Sequence, residues 1–296
     1  MRIGLRKHFS IIALFILPSM LIVGLFMIYP LFHSIYLSLT EYNFVYSEKP
    51  QFVGLGNYVD MFSDPEFIIA TKNTLIFAVC FFTLLMIVSL AIALLVTSGL
   101  RGMKTLRTIV FMPVIVALSL TGVIFQWILN ERFGVLNHVL ELLHLDVLTR
   151  NWLGDSDVAL FSLVLVSVWR YTGIVMILFV AGLQAIPEDL YEAAKLDGAN
   201  WWNRFVYVTL PNLKETFVVT GVWGAMNSIK VFEQPFIMTY GGPGSATTTL
   251  YFYSWRNSFE FFEMGYGSSV AYFVAILVLV ASAINIFILN RNKHLA

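Results

Sequence analysis

Hydrophobic positions along this chain neither alternate nor keep to one helical face; they run on. Six stretches are apolar nearly all round: roughly 9–31, 75–97, 108–129, 158–183, 213–231 and 268–290. Each is close to the ~20 residues that a helix needs to cross a hydrocarbon core. A helix satisfies its own backbone hydrogen bonds, which lipid cannot do for it. The pattern therefore predicts an all-α membrane protein of about six transmembrane helices. Pro18, Pro30 and Pro113 fall in or near these spans; neighbouring helices and water can satisfy the carbonyls that proline frees. The intervening segments differ. Those at 32–74, 130–157 and 232–267 are long and rich in aromatic and polar residues, among them Trp152, Tyr251, Tyr253 and Trp255. The segment at 98–107 is short and basic, whereas 184–212 is long, mixed in charge and helical in pattern. No repeat or soluble domain stands out, so residues 1–296 read as a single transmembrane domain.

Composition agrees. Hydrophobic residues make up 58% of the chain and charged residues 12%, against about 25% charged in soluble domains. With zero formal net charge, the chain lacks the basic excess that nucleic acid attracts. Cys80 is the single cysteine, so no disulfide can form within the chain, and its apolar surroundings suit a packing role. Arg2, Arg6 and Lys7 precede an apolar run, as in a signal peptide. That run is longer than a signal core, however, and no small-x-small site follows it. A retained first span is expected.

Basic residues set the orientation. With the N-terminus inside, the inner segments hold eleven: Arg2, Arg6, Lys7, Arg101, Lys104, Arg107, Lys195, Arg204, Lys214, Arg291 and Lys293. The outer loops hold five: Lys49, Lys72, Arg132, Arg150 and Arg256. Both termini are therefore expected in the cytoplasm.

The 184–212 segment carries the most specific pattern. Pro187 suits a helix start, and Glu188 and Asp189 favour its positive end. Leu190, Ala193, Ala194 and Asp197 follow at helical spacing, and Asp197-Gly198 is a stop signal. A second short helix is expected from Trp201 towards Leu210, with Pro211 at the entry to the fifth span. The product is a helix-turn-helix whose small residues allow close approach by another protein. Glu192-Ala193-Ala194, then Gly198, then Val208-Thr209-Leu210-Pro211 resemble the EAA motif of permease subunits of binding-protein-dependent ABC importers, with Val208 in place of isoleucine. The resemblance implies that this loop docks on an ATPase subunit, with Glu192, Ala193, Ala194, Asp197 and Gly198 in coupling roles. It also implies the partners: two ATP-binding subunits, a second homologous permease, an extracytoplasmic solute-binding protein, and the bilayer of a prokaryotic cytoplasmic membrane. ATP and Mg are expected on the ATPase subunits, and no cofactor on this chain.

A second match resembles the carbohydrate-uptake branch of that family, and within it the larger maltose permease and the first glycerol-3-phosphate permease. It comprises Thr239-Tyr240-Gly241-Gly242-Pro243 with Thr247-Thr248-Thr249-Leu250, Phe52-Val53-Gly54-Leu55 with Asn57-Tyr58, Asn73-Thr74-Leu75, and Trp169-Arg170-Tyr171-Thr172-Gly173. The extra N-terminal spans and the large extracytoplasmic insertion of the maltose subunit have no counterpart here, so their contacts do not carry over.

Polar groups in hydrocarbon are costly and tend to face an interior or a water-filled cavity. Arg170, Tyr171, Trp223, Asn227 and Asn285 are the expected lining of a solute path, since amides and guanidinium groups bond hydroxyls and aromatic faces cover sugar faces. Each has a plainer reading as a helix-packing or interfacial residue, and Lys230 can pair with Glu233 one turn on. Chemistry is otherwise sparse. There is no Gly-Lys-Ser/Thr phosphate loop, no HExxH pair among the histidines and no Gly-x-Ser-x-Gly elbow. A non-catalytic permease subunit is expected. The rivals are a self-sufficient secondary transporter or channel, for which inverted repeats are the usual sign, a membrane-embedded enzyme, and an ABC permease for a non-sugar solute.

Overall fold

A computed structural model describes residues 15–290. The elements are helical apart from one two-stranded ribbon. In chain order they are α1 (Phe15–Ser38, with a π turn at Gly24–Ile28), β1 (Thr40–Glu41) and β2 (Gln51–Phe52), and α2 (Gly56–Asp60). Then come α3 (Pro65–Val96), α4 (Met103–Ile115), α5 (Leu118–Ile128), α6 (Val135–Leu142) and α7 (Ala159–Gln184). The series closes with α8 (Glu188–Leu196), α9 (residues 201–212, with a π turn at Phe205–Thr209), α10 (Lys214–Ile229), α11 (Leu250–Phe259) and α12 (Met264–Asn290).

Among the described residues, four helices are long and apolar enough to cross a membrane: α1, α3, α7 and α12. The pair α4–α5 makes a fifth if taken together. The apolar run at 108–129 is thus two helices meeting at 104°. The break falls at Val116 and Ala117, whose backbone is extended, and Pro113 stays helical three residues earlier. The run at 213–231 forms α10, whose 16 residues span about 24 Å at 1.5 Å per residue. α3 begins ten residues before the apolar run at 75–97 does. Asp64 accepts a hydrogen bond from the Glu66 N–H at 2.9 Å and caps it. Hydropathy marks where polar residues stop, not where the helix starts. The 9–14 part of the first expected span, and the basic residues Arg2, Arg6, Lys7, Arg291 and Lys293, lie outside the described residues.

The chain divides into two compact units. The larger holds Asp64–Tyr253 and the residues from Phe273 on. Its centre is α7, 67% of whose apolar window is buried, against 22% for α3. Phe77, Phe81 and Leu85 of α3 pack with Leu163, Val164, Val175, Met176 and Phe179 of α7. Gly173 lets α4 close on α7: a Cβ there would lie 2.7 Å from the Val110 carbonyl oxygen and 2.9 Å from Phe111 Cα.

The smaller unit holds residues up to Ser63 with Ser254–Tyr272. There β1 and β2 pair antiparallel, Thr40 opposite Phe52. Asn57 Nδ2 donates to the Ser38 and Thr40 carbonyls at 3.0 and 2.9 Å, and Tyr58 Oη donates to Ser38 Oγ at 2.9 Å. The Phe52-to-Tyr58 motif therefore clamps the end of α1 to the ribbon.

Candidate functional site

Two regions carry the chemistry that the sequence singled out, and both belong to the larger unit. The first is the α8–α9 hairpin. α8 ends as its sequence predicts. Gly198 adopts φ +78°, its N–H donates to the Lys195 carbonyl at 3.0 Å, and the Ala199 N–H donates to the Ala194 carbonyl at 2.9 Å. These are the two bonds of a Schellman stop, which needs a left-handed residue at that position. Asn200 then caps α9 by accepting the Asn203 N–H at 2.8 Å. Tyr191 Oη and Thr209 Oγ1, 3.0 Å apart, tie the two helices together. Ile186 and Leu213 are buried at the base. Glu192, Ala193, Asp197 and Gly198 are exposed and Ala194 is half-buried. Leu196 is 90% exposed, and Trp201, Trp202 and Tyr207 are exposed with it. Trp201 stacks on Phe205 at 5.7 Å. The hairpin thus exposes aromatic and charged side chains together above a buried apolar base.

The second region is a cavity of about 310 Å³ between α3, α5, α7, α10, the segment that follows α10 and the start of α11. Tyr171 and Asn227 line it, with Phe77, Phe81, Leu118, Ser167, Met226, Lys230, Val231, Phe232, Glu233, Gln234 and Tyr251. Trp223, Arg170 and Asn285 are not among the lining residues. Trp223 packs edge-on against Tyr171 at 5.4 Å, and Tyr171 against Phe81 at 5.8 Å, so an aromatic chain fixes the tyrosine. Arg170 is 8% exposed, and its Nε and Nη1 are buried without a hydrogen-bond partner; its guanidinium carbon lies 5.8 Å from the Tyr171 ring centre. Asn285, on α12, faces Gly221 of α10, where a Cβ would collide with its amide. Asn227 Nδ2 is committed to the Trp223 carbonyl at 2.8 Å. Lys230 and Glu233 form no salt bridge with each other.

The rest of the lining was not predicted because it comes from separate helices and the segment after α10. Ser167, one helical turn before Tyr171, and Lys230, three residues after Asn227, had a local signal.

Behind the cavity, the Gly241-Gly242-Pro243 turn is pinned to α3. Asn73 Nδ2 donates to the carbonyls of Ser245 and Thr248 at 2.9 and 3.0 Å, and the Leu250 N–H donates to Thr74 Oγ1 at 2.8 Å. Within the turn, Thr247 Oγ1 donates to the Gly242 carbonyl at 2.7 Å and Thr249 Oγ1 to that of Val231 at 3.0 Å. Thr247, Thr248 and Thr249 are fully buried. The Gly242–Pro243 peptide is cis. On the other side, Gln126 Nε2 donates to the Ile237 carbonyl at 2.6 Å. The Asn73-Thr74 pair and the Gly-Gly-Pro stretch, far apart in sequence, are thus one structural unit.

Long apolar helices around a polar cavity, with an exposed hairpin beside them, make up a helical membrane protein. The chain belongs to the family of binding-protein-dependent transport system inner membrane components, whose profile matches residues 8–293. It is 36% identical over 266 residues, 90% of this chain and 89% of the relative, to the trehalose/maltose transport system permease protein MalF of Thermococcus litoralis. It is 35% identical over 283 residues, 95% and 96% of the two chains, to the probable ABC transporter permease protein YurN of Bacillus subtilis. Its fold superposes with a TM-score of 0.82, at 21% identity and 96% coverage of each chain, on a chain of the bacterial alginate ABC transporter solved in complex with an alginate pentasaccharide-bound periplasmic protein. The chain is thus a membrane component of a transport system rather than an enzyme.

Proposed function

We propose that this chain is one permease subunit of an ATP-driven importer that carries a carbohydrate across the cytoplasmic membrane of a prokaryote by alternating access. The observation that carries the reading is the exposed α8–α9 hairpin, with a glycine-built stop at its turn and exposed aromatic and charged side chains. Such a surface fits a groove on an ATPase subunit, with Glu192, Ala193, Ala194, Asp197 and Gly198 at the contact. A sugar cargo is supported by the trehalose/maltose relative and by the mixed aromatic and polar lining of the cavity. In this reading residues 1–296 form one permease domain with six crossings: α1, α3, the bent α4–α5 pair, α7, the short α10, and α12. An even number puts both termini on one side, and the basic residues favour the cytoplasm. Tyr171 and Asn227 line the path, with Arg170, Trp223 and Asn285 supporting it from behind. A second homologous permease completes the path, a solute-binding protein loads it, and ATP with Mg is handled by the ATPase subunits.

The test is co-purification of the tagged chain in mild detergent. An ATPase subunit and a second permease should be recovered in stoichiometric amounts. In a Gly198→Asp variant the chain should still insert. ATPase recovery and solute uptake should fall about tenfold or more, the size of a loss of roughly 1.4 kcal/mol in docking. Recovery of a stable, folded chain alone would favour a self-sufficient transporter, and unchanged uptake by Gly198→Asp would remove the hairpin from the mechanism.

A further inference from the structure

We propose that the cavity beside Tyr171 selects an uncharged saccharide, with Lys230 and Glu233 acting together as a charge filter. The inference rests on reading that cavity as part of the solute path. Lys230 is exposed and marks the mouth, whereas Glu233 is half-buried and Gln234 is 3% exposed. All three line the cavity, and the lysine and glutamate form no salt bridge with each other. Each charge therefore acts on what enters. A cation meets the ammonium first; an anion that passes it meets a carboxylate in a partly desolvated wall, where repulsion is less screened than in water. A neutral polyol is opposed by neither.

The hydrogen-bonding groups suit its hydroxyls, each of which can both donate and accept. Glu233 only accepts. Gln234 Nε2 is buried without a partner, a donor whose isolation costs stability. Asn227 has its Nδ2 committed to the Trp223 carbonyl, which leaves Oδ1 to accept. Phe232, half-buried in the wall, supplies apolar surface for the ring's C–H groups. At about 310 Å³ the cavity lies at the small end of ligand pockets, about 300–1,000 Å³. It therefore takes a small saccharide, or the end of a longer one.

The test uses the whole importer, this chain with its partner subunits and binding protein, in proteoliposomes. Probes are radiolabelled maltose, trehalose, lactose and raffinose as neutral solutes, glucuronate and glycerol 3-phosphate as anions, and spermidine as a cation. The binding protein can impose its own selection, so the variants decide. At least one neutral probe should be taken up. In a complex that assembles and hydrolyses ATP normally, Glu233→Gln should leave neutral uptake within about threefold of wild type and raise the ratio of anion to neutral uptake at least about tenfold, and Lys230→Gln should do the same for spermidine; a tenfold change corresponds to about 1.4 kcal/mol of repulsion removed. Uptake of a charged probe as fast as the neutral one in the wild-type importer, or an unchanged ratio of charged to neutral uptake in both variants, overturns the filter and leaves the importer reading standing. An assembled, ATP-hydrolysing importer that takes up no saccharide overturns the importer reading as well.

Discussion

Asn73 illustrates how a single side chain organises backbone far from it. Its amide donates to two carbonyls, those of Ser245 and Thr248, on the loop that backs the cavity. Removing it takes one donor from each, although the Ser245 carbonyl still accepts the Thr248 N–H at 3.1 Å; two lost hydrogen bonds cost about 1–3 kcal/mol. Asn73→Ala should therefore lower the thermal midpoint of the purified chain by several degrees and slow uptake; an unchanged midpoint would mean that the threonines hold the turn unaided. The asparagine and the threonines were visible as motif residues, but their pairing was not, because nothing local in the sequence specifies a contact across more than 170 positions. Gly198 is the opposite case. No atom lies within 4 Å of a Cβ placed there, so its requirement is the left-handed backbone alone. That requirement is local, and Asp197-Gly198 after a helical run announces it.

Among the elements, α7 shows how packing is set by small residues at one face. Gly173 admits the backbone of α4, and no side chain of any size fits at 2.7 Å from the Val110 carbonyl. Gly173→Leu should push the two helices apart, with an overpacking cost of about 1–3 kcal/mol. It should reduce the yield of folded protein in size-exclusion chromatography, and normal yield would show that α4 is free to move away. The length of the apolar run identified α7 almost to the residue, because a buried apolar helix is apolar along its whole length. The α4–α5 break escaped it. Val116 and Ala117 are as apolar as their neighbours, and hydropathy is blind to the extended backbone that turns the chain through 104°. α10 was recognised as apolar but is shorter than a simple span, since Lys214 and Glu215 already belong to its first turn.

On the scale of the whole molecule, orientation is the property most open to direct measurement. Cys80 is the single cysteine, so a Cys80→Ser background accepts single reporters. Tyr46 and Leu196 are 85% and 90% exposed and lie in segments expected on opposite sides. Tyr46→Cys should react with a membrane-impermeant maleimide in intact cells, and Leu196→Cys only after permeabilisation. The reverse result would invert the topology and move the α8–α9 hairpin away from any cytoplasmic ATPase.

The sequence by itself determined that the chain is a helical membrane protein, where its apolar runs lie, and how the hairpin at 184–212 turns. It could do so because each depends on residues close together: the length of an apolar run, and a glycine after a helix. Tertiary structure decided which polar residues share a cavity. Tyr171 and Asn227 meet Lys230, Glu233 and Gln234 there, while Arg170 lies behind and Asn285 packs on Gly221. All these residues look alike in sequence, as polar groups in apolar surroundings. Only the rotation of each helix about its axis, fixed by close contacts such as that at Gly173, separates those that face the cavity from those that face another helix.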